Sequence, residues 1–342
     1  MPTIKKMAPA PISVRRQIWM TMKKFKFEEL ESTVLPHFPE ISWSEVRSIL
    51  IQHHDSFTSK NVVRIIEKRI DEMNIDDKEL KERLTMLEVI EISRHSMRKI
   101  WYGFQLKNKK DENDLLSLEE LRQNMVQLFH TMKLNMTIKL VTNEGITFVS
   151  IRDSKSIRIM PLFFALILEQ GYFFSSRKSV TKEFLQVITR SSGYNSCKPL
   201  KLSGKYLKSL LKILQIKIQG APHAVKLYNY QEYKEGPPKI KNTGIDFRQH
   251  QQRKKYVKQF LSDEKLTLDT LVVKNSQIPW AHKDISSKLP DVRINMEWEF
   301  GSHDILGFLL ELADKRVLVT PLPTYITKLL EKGKNELTIK NL

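Results

Sequence analysis

Cysteine occurs once, at Cys197, so no disulfide can close within the chain, and no cluster of cysteine and histidine has the spacing of a zinc site. Glycine is scarce, 11 in 342 residues, and none builds a G-x-x-x-x-G-K-[ST], G-x-G-x-x-G or G-x-S-x-G motif; H-E-x-x-H is missing as well. Nucleotide hydrolysis, dinucleotide chemistry and the commoner hydrolases therefore lack their fingerprints. The expectation is a chain that is no enzyme and needs neither cofactor nor metal. The longest apolar run, IMPLFFALIL, is too short to cross a bilayer. The opening MPTIKKMAPAPISVRR lacks the unbroken apolar core of a signal peptide, and both features predict a soluble protein of a reducing, intracellular compartment. Acid is also missing from one long stretch: no Asp or Glu lies between Glu183 and Glu232.

What is present is positive charge. Lys and Arg number 57 against 39 Asp and Glu, a net charge of +18. Residues 176 to 258 hold 19 of the cations and 4 of the acids, so a quarter of the chain carries +15 of the total. A localised surplus with Tyr and Ser interleaved is the footprint of a phosphate backbone contact, whereas uniform basicity would serve solubility alone. Within it, KPLKLSGKYLKSLLKILQIKI (198 to 218) steps lysines by threes and fours. From about Ser203 onward a helix would align Lys205, Lys208 and Lys212 in one row, beside a buried stripe of Leu202, Tyr206, Leu210 and Leu214. A solvated lysine-rich face and an anionic membrane surface are the other readings of this pattern. The membrane reading lacks aromatic anchors, since Tyr206 is the only one on the apolar side.

With 41% hydrophobic residues, the chain can bury a sizeable core, and its length predicts two domains or one large domain with an extension. The periodicity gives an α+β fold. Residues 12 to 106 read as a bundle of five or six short helices punctuated by Pro36, Pro39, Asp55 and Asn74, with N-cap signals at Ser42 and at Thr58 or Ser59. The helical spacing runs on through ISRHSMRKIWYGFQL (92 to 106) as part of the last of them. His53 and His54 read as a helix end. Residues 107 to 118 form a charged linker, and 119 to 230 an α/β domain with the basic face. There a helix (SLEELRQNMVQLFHTM) precedes a hairpin turning at Asn143 to Gly145, a buried strand, the strand GYFFSS and the helix TKEFLQVITRSS. Residues 231 to 290 read as a basic connection. Residues 291 to 342 close the chain with the alternating strand VRINMEWEF, a helix capped by Ser302 (SHDILGFLLELADK) and RVLVTPLPTYITKLL.

Asp291, Glu297 and Glu299 are the best metal candidates, because alternate carboxylates on one strand face can share an ion. They support the alternative reading of a metal-dependent nucleic-acid-processing enzyme or its accessory subunit. Strand alternation by itself also places such carboxylates together on a surface.

The order of several segments resembles the centromere protein N family of the inner kinetochore. The resemblance rests on ISRHSMRKIWYGFQL with its KIWxxFQ pattern, LILEQGYFFSS (166 to 176), LKLSGKYLKSLLKI (200 to 213), TGIDF (243 to 247) and RVLVTPLPTYIT (316 to 327). It implies a pyrin-like, death-fold helical bundle followed by an α/β homology domain with a mixed or antiparallel sheet. It further implies nuclear localisation at the centromere, a basic groove that grips nucleosomal DNA, and other inner-kinetochore subunits as partners, first among them a centromere protein L-like subunit. Carried over by position, Lys99, Lys205 and Arg177 or Lys178 match DNA-contacting residues, with Lys24 and Lys60 as looser matches, while Lys208 and Lys212 extend the row. The C-terminal strand and helix, through Met296, Trp298, Phe300, Leu306, Phe308 and Leu309, would pair with the partner; the same residues could equally face this domain's own core. The family's histone-reading helix opens with acids, whereas here stand Arg15 and Arg16, basic residues that are further candidate DNA contacts. That departure predicts DNA binding with weakened reading of the centromeric histone variant.

Overall fold

The computed structural model describes residues 13–73, 75–109, 117–153, 160–228, 257–258, 266–279, 287–288, 292–315, 317–318, 322, 326, 329 and 332–339. Two compact units divide the chain, Met1–Arg98 with Phe104–Lys198, and Lys99–Gly103 with Pro199–Leu342. The expected stretches 231 to 256 and TGIDF, most of RVLVTPLPTYIT, most of the linker (110 to 116) and Asp291 lie outside the described residues. The fold is mixed α+β.

In the first unit the helices are α1 (Val14–Met22), α2 (Phe27–Glu29), α3 (Trp43–Gln52), α4 (Ser59–Glu72) and α5 (Asp77–Arg94), with one-turn π and 3-10 segments over Leu30–Val34 and Leu35–His37. The caps follow hydroxyl chemistry: Ser42 Oγ accepts the Glu45 N–H at 3.2 Å, and Thr58 Oγ1, not Ser59, accepts the Asn61 N–H at 3.4 Å. His53 caps the end of α3 and His54 follows with φ +52°. Ile18, Met22, Leu50, Ile66 and Leu80 are among the fully buried side chains of the bundle.

Helix α5 loses its amphipathic pattern in its second half, where Leu87, Val89, Ile90, Glu91, Ile92 and Ser93 are all buried. A helix apolar on every side needs more than one partner. α5 packs against α1 and also against β2 (Met136–Asn143) and β3 (Ile146–Asp153). Its Glu88 meets Arg152 of β3, with Nη2 2.5 and 2.6 Å from the two carboxylate oxygens. Burial pushes the Glu88 carboxyl above the ordinary carboxylate range, against the opposing pull of Arg152.

The expectation that helix continues through residues 95 to 106 is overturned. α5 stops at Arg94, a 3-10 turn covers Ser96–Arg98, and Trp101–Lys109 is strand β1. The run IWYGFQL is rich in aromatic and β-branched residues, which suit a pleated surface. Its tryptophan is fully buried, and Phe104 stacks on Phe173 with centroids 4.9 Å apart. The WxxFQ part of the pattern thus lies on a core strand, with Lys99 and Ile100 just before it.

The larger sheet has the order β2-β3-β4-β5-β1-β6, with β4 at Leu162–Ile167, β5 at Tyr172–Ser175 and β6 at Tyr194–Gly204. β2 to β5 pair antiparallel in succession. The β2–β3 hairpin turns at Glu144 (φ +51°) and Gly145 (φ +76°), the left-handed pair that matches strand twist. α6 (Leu118–Thr131) begins in a capping box between Ser117 and Glu120 and packs on α7 (Lys182–Ser191).

The second unit holds α8 (Leu207–Tyr228), β7 (Thr270–Pro279), β8 (Arg293–Gly301), α9 (Ile305–Asp314) and β9 (Glu336–Ile339). β7 lies between β8, antiparallel to it, and β9, parallel to it. Ser302 does not cap α9: Asp304 does, its carboxylate accepting the Gly307 N–H at 2.9 Å, while Ser302 Oγ accepts the Asp304 N–H.

Candidate nucleic-acid interface

The basic stretch 198 to 218 divides at Gly204. Lys198 and Lys201 lie on β6, and the helix starts at Leu207 instead of Ser203, so Lys205 stands just before it. The reason is local and steric. The Lys205 N–H donates to both carboxylate oxygens of Asp269 at 3.0 Å, and a Cβ on Gly204 would lie 2.5 Å from one of them. Only glycine lets the backbone come this close. Asp269 is buried and sits at the positive end of α8, where a carboxylate is stabilised. The acid-free stretch in sequence is therefore met in space by an acid from outside it, engaged with the backbone N–H of Lys205.

Beyond that point the expected amphipathic pattern appears. Leu202, Leu207, Leu210, Ile213 and Leu214 are buried, Tyr206 is half-buried, and Ser209 accepts the Thr267 N–H on the inner side. Lys205 and Lys208 are exposed and Lys212 is half-buried. Lys208 and Lys212, four residues apart, share the outer face of the helix. Asn335 braces the strands that lead into this helix. It is buried, its side-chain oxygen accepts the Ser203 N–H at 2.9 Å, and its amide nitrogen donates to the carbonyls of Ser203 and of Thr270, the latter at 2.8 Å. Its backbone adds bonds to Lys201 and Val272. One side chain thus ties β6, β7 and the approach to β9 together at the root of α8. Lys99 belongs to this unit too and is half-buried before the buried Trp101.

The other expected contacts lie in the first unit. Arg16, Lys24, Lys60, Arg177 and Lys178 are exposed. Lys60 stands in the first turn of α4, which contains no acid, so its charge adds to the positive helix end. Arg177 donates through Nη2 to the Met160 carbonyl at 2.8 Å. Arg15 is half-buried and already has partners. Its guanidinium donates to the carbonyls of Ile70 (2.6 Å) and Met73 (3.4 Å) and pairs with Asp71 at 3.1 Å, so it closes the C-terminal end of α4. A cation there is stabilised by the carbonyls left over at a helix end. Arg15 is thus engaged within the bundle, while Arg16, also on α1, is exposed.

The expected partner surface divides as well. Leu306 and Leu309 are buried. On β8 the even positions share one face, with Ile294 and Met296 half-buried, Trp298 40% exposed and Phe300 44% exposed, and Phe308 of α9 is 42% exposed. Among the described residues β8 is an end strand of its sheet. The odd positions carry Glu297 and Glu299. Lys274 of β7 reaches Glu297 at 3.6 Å across the strand pair, so this carboxylate answers a lysine. Among the described residues no group of three His, Cys, Asp or Glu stands close enough to hold a metal ion, and no helix is long and apolar enough to cross a membrane.

Comparison with protein-family models and with curated proteins finds no match to this chain.

Proposed function

We propose that this chain is a non-enzymatic DNA-docking subunit of the inner kinetochore, as its resemblance to the centromere protein N family implies. The observation that carries the docking step is the set of lysines at the head of α8: Lys205 just before the helix and Lys208 on it, both exposed, with Lys212 on the same face as Lys208, on a helix whose other side is buried. Among residues 176 to 218 the cations number ten and the only acid is Glu183. Lysines presented this way neutralise phosphates and release counterions, which binds duplex without reading its sequence. Arg16, Lys24, Lys60, Lys99, Arg177 and Lys178 supply further phosphate contacts in this reading.

The second half of the proposal is pairing with a centromere protein L-like subunit through the apolar face of β8 and Phe308. An end strand with exposed aromatic residues can add to a partner's sheet or cover its apolar face. At the centromere in the nucleus the chain would then join DNA to the rest of the assembly, with weak preference for the centromeric histone variant. Titration of the full chain into labelled duplex, with and without Mg²⁺, tests the docking step. Salt-dependent binding with the duplex left intact is expected. Absence of binding, or Mg²⁺-dependent cleavage, would overturn the reading.

A further inference from the structure

The second unit gathers another set of cations from positions far apart in the chain. Lys201 comes from β6, Lys217 from α8, and Lys332 and Lys334 flank Gly333; all four are exposed. Gly333 adopts φ +61°, and a Cβ there would lie 2.8 Å from Lys217 Cδ. The aliphatic stem of Lys217 therefore lies against the turn that carries the other two lysines. Lys201, Lys332 and Lys334 line one cleft of about 180 Å³, with Leu329 and Leu337 as its apolar part and Thr338 and Glu336 as its polar part.

The carboxylate in that cleft is already shared. Glu336 pairs with Lys201 at 3.4 Å and with Lys274 at 3.2 Å, and Lys201 Nζ also donates to Thr338 Oγ1 at 3.3 Å. Burial of Lys274 favours its neutral form, yet its bond to Glu336 and the charges of Glu336 and Glu297 hold its pKa above the ordinary lysine value, so it stays charged. Glu336 thus holds Lys201 in position, while Lys332 and Lys334 add positive charge to the lining. Bringing ammonium groups together costs like-charge repulsion, which a bound polyanion reverses.

This cluster is separate from the row proposed for duplex. Lys217 is about half a turn round α8 from Lys208, at 3.6 residues per turn, and none of Lys205, Lys208 and Lys212 lines the cleft. The cleft is also smaller than the roughly 300–1,000 Å³ typical of drug-sized ligands. We propose that it is a binding site for a compact polyphosphate, phosphate groups on a small carrier or chain, held by point-charge lysines and the Thr338 hydroxyl. This inference does not rest on the DNA reading.

Calorimetric titration of the full chain with tripolyphosphate at about 0.15 M ionic strength tests it, with sulfate at matched ionic strength as the comparison. Saturable one-to-one binding is expected. It should weaken at least tenfold in Lys332→Gln/Lys334→Gln and stay unchanged in Lys208→Gln/Lys212→Gln, while duplex affinity shows the opposite pattern. Lys201→Gln, on a different element, should weaken tripolyphosphate binding as well. No saturable binding, equal loss in the two double variants, or equal binding of sulfate would overturn the site. A fall in duplex affinity of Lys332→Gln/Lys334→Gln as large as that of Lys208→Gln/Lys212→Gln would also overturn it, because the cleft would then be part of the duplex surface.

Discussion

Replacing Lys205, Lys208 and Lys212 together by Gln removes two charges from the face of α8 and one just before it, with little change in helix propensity. Lys208 and Lys212 are separated by about 6 Å of helix rise, at 1.5 Å per residue. Duplex DNA carries a negative charge for roughly each 1.7 Å of its axis, so the row lies over three to four phosphates and each lysine can find one. Each neutralised phosphate contributes about 0.9 to the slope of log affinity against log salt, so the triple variant should flatten that slope by about 2.7. Between 50 and 200 mM salt this corresponds to about 40-fold, or about 2 kcal/mol, of salt sensitivity that the wild type has and the variant lacks. Fluorescence anisotropy with a labelled duplex at several salt concentrations reads it directly. Lys315→Gln is the control, because Lys315 is exposed in the same unit, at the C-cap of α9, and paired with Glu311 at 2.6 Å; it should leave the slope unchanged. If the triple variant kept the wild-type slope, the row would be a solvated surface and the docking proposal would fail.

Three further outcomes are expected. Asn335→Ala removes the side-chain bonds to Ser203 and Thr270 and leaves buried backbone groups unmatched, at about 1–3 kcal/mol each; the urea midpoint should fall sharply, and an unchanged midpoint would refute the keystone role. Glu88, whose pKa is raised by burial, binds its proton more tightly in the folded chain than in the unfolded one. Its contribution to stability is therefore complete below the unfolded value of 4.5 and declines as pH rises through the raised value. Urea midpoints across that window should decline less in Glu88→Gln than in wild type, and parallel curves would contradict this. Trp298→Ala/Phe300→Ala, at exposed positions, should alter stability by no more than about 1 kcal/mol while abolishing co-purification with a partner of similar fold; retained co-purification would remove β8 from the pairing surface.

Much of the local structure follows from local sequence. Ser42 and Thr58 announce helix starts because a hydroxyl can accept a free N–H only two or three residues away. Glu144 and Gly145 turn a hairpin because the flanking runs alternate and glycine accepts a positive φ. The apolar side of α8 was legible for the same reason, since Leu210 and Leu214 recur at helical spacing. Where two local patterns competed, as in residues 95 to 106, helical spacing pointed the wrong way. The sheet between β5 and β6 claimed that run as a strand, through contacts such as Phe104 with Phe173.

The sequence by itself determined the amount of positive charge, its concentration in the middle of the chain and the elements that carry most of it. Tertiary structure decided what each charge faces. Arg15 meets the end of α4, Asp269 arrives at the head of α8 from beyond the acid-free stretch, Lys217 lies against Gly333, and Lys201, Lys332 and Lys334 line one cleft. It likewise sorted Leu306 and Leu309 into the core and left Phe308 outside. The physical reason is range: capping and periodicity act within one or two turns of the chain, whereas charge pairing and burial depend on residues that only folding brings together.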